Sequence, residues 1–102
     1  MANEGYHEPI EKLSAPTIDM HRALSSLMEE LEAIDWYNQR CDACTDPELR
    51  LILAHNRDEE KEHASMLLEW IRRRDPCMDK HLKEALFKAG PITGQHQYGE
   101  DA

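Results

Sequence analysis

Glycine is missing from the whole interior of this chain: the four glycines are Gly5, Gly90, Gly94 and Gly99, so nothing from Tyr6 to Ala89 offers the backbone freedom that tight turns need. That absence predicts a helical interior. Positive charge is also scarce, with 12 Lys+Arg against 21 Asp+Glu and a formal charge of −9. A sequence-independent nucleic-acid binder needs a basic patch to displace counterions from phosphates, so cations are the expected partners and no nucleic acid is. No run approaches the roughly 20 apolar residues of a membrane helix, and Met1-Ala-Asn-Glu-Gly-Tyr-His7 lacks the basic-then-apolar order of a signal peptide. The expectation is a soluble, cytoplasmic protein with no membrane partner. Three cysteines, Cys41, Cys44 and Cys77, are too few for a secreted disulfide scaffold and read as reduced thiols.

What is present is punctuation. Proline fits the first turn of a helix but not its interior. Ser14-Ala-Pro16 therefore opens a first helix over roughly residues 15–42. Thr45-Asp-Pro47-Glu48 opens a second, either as a capping box of Thr45 with Glu48 or with Asp46 as N-cap. That helix ends in Arg72-Arg73-Arg74, cations favoured at the negative end of the helix dipole, and Asp75-Pro76 starts a short third helix that runs to Gly90-Pro91. The division expected is an N-terminal extension over 1–13, a helical hairpin domain with its third helix over 14–92, and a polar tail over 93–102. At about 1.5 Å per residue the two main helices are about 40 Å long, and two antiparallel rods of that length bury only part of their apolar surface. A small domain with so little core completes itself by association, so a homo-oligomer is expected.

The apolar stripes are interrupted in one place. On the first helix Leu24, Leu27 or Met28, Leu31 and Ile34 recur at helical steps, with Leu27, Glu30, Ile34, Tyr37 and Cys41 along the flank. On the second, Leu49, Ile52 or Leu53, Asn56, Glu60, His63, Leu67 and Trp70 follow the same steps. A carboxylate taken out of water must be paired, protonated or bound to metal. Glu60-x-x-His63 puts a carboxylate and an imidazole one turn apart, and an antiparallel neighbour brings Glu30 opposite them. A Glu on one helix with Glu-x-x-His on the next is half the ligand set of a di-iron carboxylate bundle. Such a pair recurs by chance in a chain with 32% charged residues, but here it is centred in the stripe and faces the interrupting Glu30. The missing half set and the missing core have one solution: an all-α hairpin that dimerises into a ferritin-like four-helix bundle with metal between subunits. Oxygen and imidazole donors suit iron or manganese, and would also take zinc, cobalt, calcium or another divalent ion.

Two alternatives stand beside this. Cys41-x-x-Cys44 with Cys77 and His81 has the donors of a tetrahedral zinc site, but the hairpin puts residue 42 and residue 77 at opposite ends of the second helix. A thioredoxin-like role for the Cys pair lacks its βαβ context. Alternatively the stripes are plain packing in a non-catalytic helical metal-binding or adaptor protein. His7, His21, His55, His81 and His96 read as surface or packed polar residues, His21 on the Leu24 face.

Met28-Glu-Glu-Leu-Glu-Ala-Ile-Asp-Trp-Tyr37, Thr45-Asp-Pro-Glu-Leu49, Ala54-His-Asn-Arg-Asp-Glu-Glu-Lys-Glu-His63 and Leu68-Glu-Trp-Ile-Arg-Arg73 together resemble the encapsulated ferritins, from about His7 to Thr93. The resemblance implies a ferroxidase that oxidises Fe(II) with oxygen at a di-iron centre between two subunits, dimers that build a decameric ring, and residence as cargo inside an encapsulin nanocompartment whose shell holds the mineral. It carries the ferroxidase ligands onto Glu30, Glu60 and His63, and a tyrosine near the metals onto Tyr37. A second metal site, through which iron enters, falls on Glu29 and Glu32 with Trp36 beside it. Without the resemblance Glu29 and Glu32 read as a solvated acidic face. Gly94-Gln-His-Gln-Tyr-Gly-Glu-Asp-Ala102 does not look like the family's shell-targeting segment, so either the sequence is truncated or loading differs, and the cysteines lie outside the family pattern.

Overall fold

The computed structural model describes residues 5–94. Residues 1–4 and 95–102 lie outside the described residues, and with them His96 and nearly all of the expected tail. The described chain is all-α: a single 3₁₀ turn over Ile10–Lys12, then α1 (Ala15–Ala43), α2 (Pro47–Arg74) and α3 (Pro76–Ala85), with no strand among the described residues. Among the described residues no helix is long and apolar enough to cross a membrane.

Each helix begins where a side-chain oxygen takes up a first-turn N–H that has no partner within the helix. Ser14 Oγ accepts from the Thr17 N–H at 3.4 Å, with Pro16 in the first turn. For α2 the cap is Asp46, whose Oδ2 accepts from Leu49 N–H at 2.8 Å, so the choice between it and the Thr45–Glu48 box falls to the residue directly before Pro47. Asp75 Oδ1 accepts from the N–H groups of both Cys77 and Met78 at 3.0 Å. The end of α1 is closed by Arg50, which reaches back across the turn to donate from Nε and Nη2 to the Cys44 carbonyl at 3.1 and 2.7 Å.

The chain divides into two compact units, Met1–Ile71 and Arg72–Ala102. In the first, α1 and the body of α2 form an antiparallel hairpin whose register is read from three contacts. Cys41 Sγ lies 3.9 Å from the Arg50 carbonyl, Asn38 Oδ1 accepts from Arg57 Nη1 at 3.1 Å, and Glu30 Oε2 is 3.6 Å from His63 Nδ1. Each step back along α1 is met by a step forward along α2, so Glu30 near the middle of one helix meets the Glu60–His63 turn of the other. The single-chain core is thin: among the described residues Ala23, Cys41, Ala64 and Ile71 are the buried apolar side chains. Of the alternatives left open in the stripes, Leu27 and Leu53 are half-covered, whereas Met28 and Ile52 are exposed. Leu31, expected on the inward line, is 53% exposed. With one neighbouring helix the inward stripe is narrow, and a residue about 100° round from Glu30 falls off the seam.

In the second unit Asp79 on α3 accepts from Arg72 and pairs with Lys83 Nζ at 3.1 Å. The third helix stops at Ala85 rather than reaching Gly90. Leu86 N–H still bonds to the Leu82 carbonyl at 2.9 Å, but Leu86 is extended and Phe87 turns left-handed at φ 58°. Leu86 and Phe87 are both exposed, so no covered apolar face carries another turn, and most helical stability comes from such packing. Gly90-Pro91 marks an outer limit, not the end itself.

Candidate metal centre

Glu30, Glu60 and His63 meet at mid-hairpin. His63 Nδ1 lies 2.9 Å from Glu60 Oε1, within hydrogen-bond reach, and 3.6 Å from Glu30 Oε2. One donor atom from each of the three lies within 4.8 Å of the others, and this is the one group of three or more such side chains among the described residues. All three are half-buried, Glu30 with 24% and His63 with 42% of its side chain exposed. The Glu60–His63 arm is supplied by helix geometry, since residues three apart share a face. Glu30 is supplied by the antiparallel register.

The electrostatics of the group are unbalanced. Glu30 Oε2 is closed off from water and has no hydrogen-bond partner. Burial, and then the Glu60 carboxyl beside it, push the Glu30 carboxyl above its ordinary value, with His63 pulling the other way. His63 is drawn upward, first by its hydrogen bond to Glu60 and then by the charges of Glu30, Glu60 and Glu59, against a desolvation that lowers it. Two carboxylates and one imidazole in a half-buried seam hold a proton, or take a cation in its place. The donor set is hard oxygen plus imidazole, and an orphaned carboxylate oxygen is already aimed into the seam. These residues therefore fit iron, manganese or zinc. Three ligands from one chain leave coordination positions for others.

The remaining sequence-nominated residues are distributed along α1. Tyr37 is half-buried, two turns beyond Glu30, with the Arg40 guanidinium 5.2 Å from its ring centre. Glu29 and Trp36 are exposed and Glu32 is half-covered, on a face that does not join the Glu30 group. His21 is a packed polar residue, its ring 4.6 Å from that of Tyr6 and its Nε2 3.5 Å from Ser25 Oγ. His7, His55 and His81 are exposed, and His81 Nδ1 lies 3.6 Å from Glu84. All three cysteines are free thiols and none joins a donor group of this kind among the described residues. Sequence reading missed Glu59, which adds negative potential at His63; its position next to Glu60 was the available signal. It also missed a polar hollow at the turn end of the hairpin, lined by Asn38, Gln39, Cys41, Asp42, Arg50 and Arg57.

A helical hairpin that gathers Glu and Glu-x-x-His at mid-length is half of a ferritin-like bundle. The sequence profile of the EncFtn-like family matches residues 5–89, and the chain belongs to that family. It is 64% identical over 87 residues to an encapsulated ferritin-like protein of Rhodospirillum rubrum, a match covering 85% of this chain and 62% of that one. The chain thus spans less than two thirds of that relative's length. It is 44% identical over 64 residues to an encapsulin nanocompartment cargo protein of Myxococcus xanthus, covering 63% of this chain and 49% of the other. A crystal structure of a Nitrosomonas europaea protein superposes with a TM-score of 0.86 at 66% identity, covering 89% of this chain and 100% of that one.

Proposed function

We propose that this protein is a ferroxidase, oxidising Fe(II) to Fe(III) with oxygen at a di-iron site formed when two hairpins face each other, and that it works as cargo of an encapsulin shell in the cytoplasm. The observation that carries the reading is the Glu30–Glu60–His63 group with its unpartnered Glu30 oxygen. One chain supplies half of a di-iron ligand set, and the exposed apolar side chains flanking it, among them Leu31, Leu49, Ile52 and Met66, are those a second hairpin would cover. In this reading the dimer is the catalytic unit, and dimers build the decameric ring implied by the resemblance. The cargo role follows the Rhodospirillum and Myxococcus relatives.

Fe(II) is the substrate, each ion giving up one electron to oxygen. Glu30 and Glu60 supply anionic oxygens that favour the higher charge of Fe(III), and His63 supplies a neutral nitrogen donor. The neighbouring carboxylates favour the protonated form of His63, so metal binding there competes with a proton. Tyr37, half-buried two turns further along α1, is the tyrosine that the family resemblance puts near the metals. Glu29 and Glu32 collect Fe(II) from solution, drawn by the −9 net charge.

Native mass spectrometry of the metal-free protein, titrated with Fe(II) without oxygen beside Glu30→Ala, tests the site. The expected result is even-numbered oligomers holding two irons per dimer in the wild type and none in the variant. Admitting oxygen should then give oxidation faster than buffer. A monomer that binds no iron returns the chain to a helical adaptor, and iron binding without faster oxidation leaves a metal-binding protein.

A further inference from the structure

The cysteines stand outside the metal reading, and their surroundings are specific. Cys41 occupies the last full turn of α1 and is 8% exposed, yet it lines the polar hollow of about 360 Å³ that opens between Asn38, Gln39, Asp42, Arg50 and Arg57. Cys44 is the C-cap of the same helix, and its N–H still makes the helical bond to the Arg40 carbonyl at 2.9 Å. That bond keeps Cys44 on the helical path, so its Cα lies one helical turn from that of Cys41, about 5 Å away by helix geometry. A disulfide accepts Cα separations of roughly 4.4–6.8 Å. The Cβ atoms of helical neighbours are about 5–6 Å apart, whereas a disulfide needs roughly 3.5–4.5 Å, so closure requires the last turn to tighten by about 1 Å. Cys44 leaves the helix at ψ 130° just before Pro47, and closure exchanges its Sγ contact with the Asp46 carbonyl at 3.7 Å for the bond to Cys41 while straining the two Arg50 bonds to its own carbonyl.

We propose that Cys41 and Cys44 are a peroxide-oxidisable dithiol built into the hairpin turn, closing to an intramolecular disulfide with hydrogen peroxide or an alkyl hydroperoxide from solution as the oxidant. Cys41 sulfur attacks a peroxide oxygen, the O–O bond breaks, and the thiol becomes a sulfenic acid with release of one water or alcohol. The Cys44 thiol then attacks that sulfur, the S–OH bond breaks, and a second molecule, water, leaves with the Cys44 proton. Two thiols lose two electrons in all, and the peroxide is reduced by two. The hollow gives a small peroxide a path to the Cys41 face. The side chains of Arg50 and Arg57 line the same hollow and can donate hydrogen bonds to the departing oxygen. Arg57 is held in place by Asp58, to which Nε donates at 3.0 Å, and by Asn38, to which Nη1 donates at 3.1 Å. The consequence is local. Moving Cys44 disturbs the carbonyl on which Arg50 makes both of its bonds. This dithiol is independent of the iron reading and needs no βαβ scaffold, because peroxide rather than a partner disulfide is the oxidant.

The test is intact-mass spectrometry and peptide mapping of the reduced, full-length, metal-free protein after one equivalent of hydrogen peroxide. Loss of two hydrogen masses, mapped to a Cys41–Cys44 link, reversed by dithiothreitol and retained in Cys77→Ser and Glu30→Ala, is the expected result. In Cys44→Ser a dione probe should trap sulfenic acid on Cys41. Oxidation confined to Cys77, cross-links between chains through Cys77, or Cys41 that reacts only after unfolding would each overturn the proposal.

Discussion

Two three-residue charge clusters in this chain are built from similar parts and behave oppositely. Glu30, Glu60 and His63 join α1 to α2 within the hairpin, and Arg72, Asp79 and Lys83 join the end of α2 to α3 in the second unit. Around Asp79 two cations converge on one carboxyl and hold it below its ordinary value, Arg72 first and then Lys83. Around His63 two carboxyls converge on one imidazole, and burial pushes the Glu30 carboxyl the other way, above its ordinary value. The Asp79 cluster satisfies its carboxyl from within. The Glu30 cluster leaves a buried oxygen without a partner and a surplus of acid. A cluster closed by its own charges holds segments together, whereas one left open has room for a cation from outside.

The sharpest way to break this comparison is to remove a carboxyl from each. Glu30→Ala or His63→Ala should lower affinity for a divalent ion by on the order of a hundredfold or more, since even outer partners of a ligand are worth 10–100-fold. In Glu30→Ala the thermal midpoint of the metal-free protein should hold or rise, because a buried carboxyl oxygen without a hydrogen-bond partner has gone. Asp79→Asn should do the reverse, leaving metal affinity unchanged while lowering the midpoint. Calorimetric metal titration and thermal scans on the same samples read both arms. A Glu30 variant that loses stability and keeps its metal would place the two clusters in the same structural class.

Proton linkage separates them next. His63 and Glu30 are raised above their ordinary values of 6.5 and 4.5, so the stabilisation they lend the metal-free fold is present at low pH and is lost as pH rises through those raised values. Asp79 is lowered below 3.8, so its contribution is present above that value and is lost as pH falls through the lower one. Metal competes with the protons on His63 and Glu30, so affinity should climb with pH through the region just above 6.5 while the midpoint of the metal-free protein declines. His63→Gln should flatten both curves there and leave the acid limb set by Asp79 in place.

Much of this was legible because charge inside an apolar stripe is a contradiction that has to be resolved by a partner. Glu30, Glu60 and His63 announced themselves in that way, and Pro16, Pro47 and Pro76 announced the helix starts, each beside a residue able to cap. The end of α3 was not legible. Phe87 takes a left-handed backbone without being glycine, and its turn depends on what does not pack against Leu86, which no local signal records. Leu31 is exposed in the single hairpin for a related reason: stripe reasoning presumes a core on one broad side, a two-helix hairpin has only a seam, and Leu31 belongs with the side chains that a second hairpin is proposed to cover. Glu29, Glu32 and Trp36 carry no contradiction at all, being acids and an aromatic ring at helical spacing, so only likeness to a family singled them out.

That last set supplies the finest test. Glu29 and Glu32 differ from Glu30 by one and two positions, yet each residue turns the side chain about 100° round α1, and exposed Glu29 and half-covered Glu32 do not join the Glu30 group. In the proposed function charges there would act on Fe(II) at a distance, through the local concentration of cations, and such action is screened over about 10 Å at 0.1 M salt. Glu29→Gln with Glu32→Gln should slow oxidation by a few-fold at low Fe(II) and low salt. The deficit should vanish as iron or salt is raised, with two irons per dimer still bound. Stopped-flow oxidation across a salt series reads this directly. A deficit that persists at saturating iron and high salt would mean that Glu29 and Glu32 take part in the chemistry, and the division of α1 into a reacting face and a collecting face would fall.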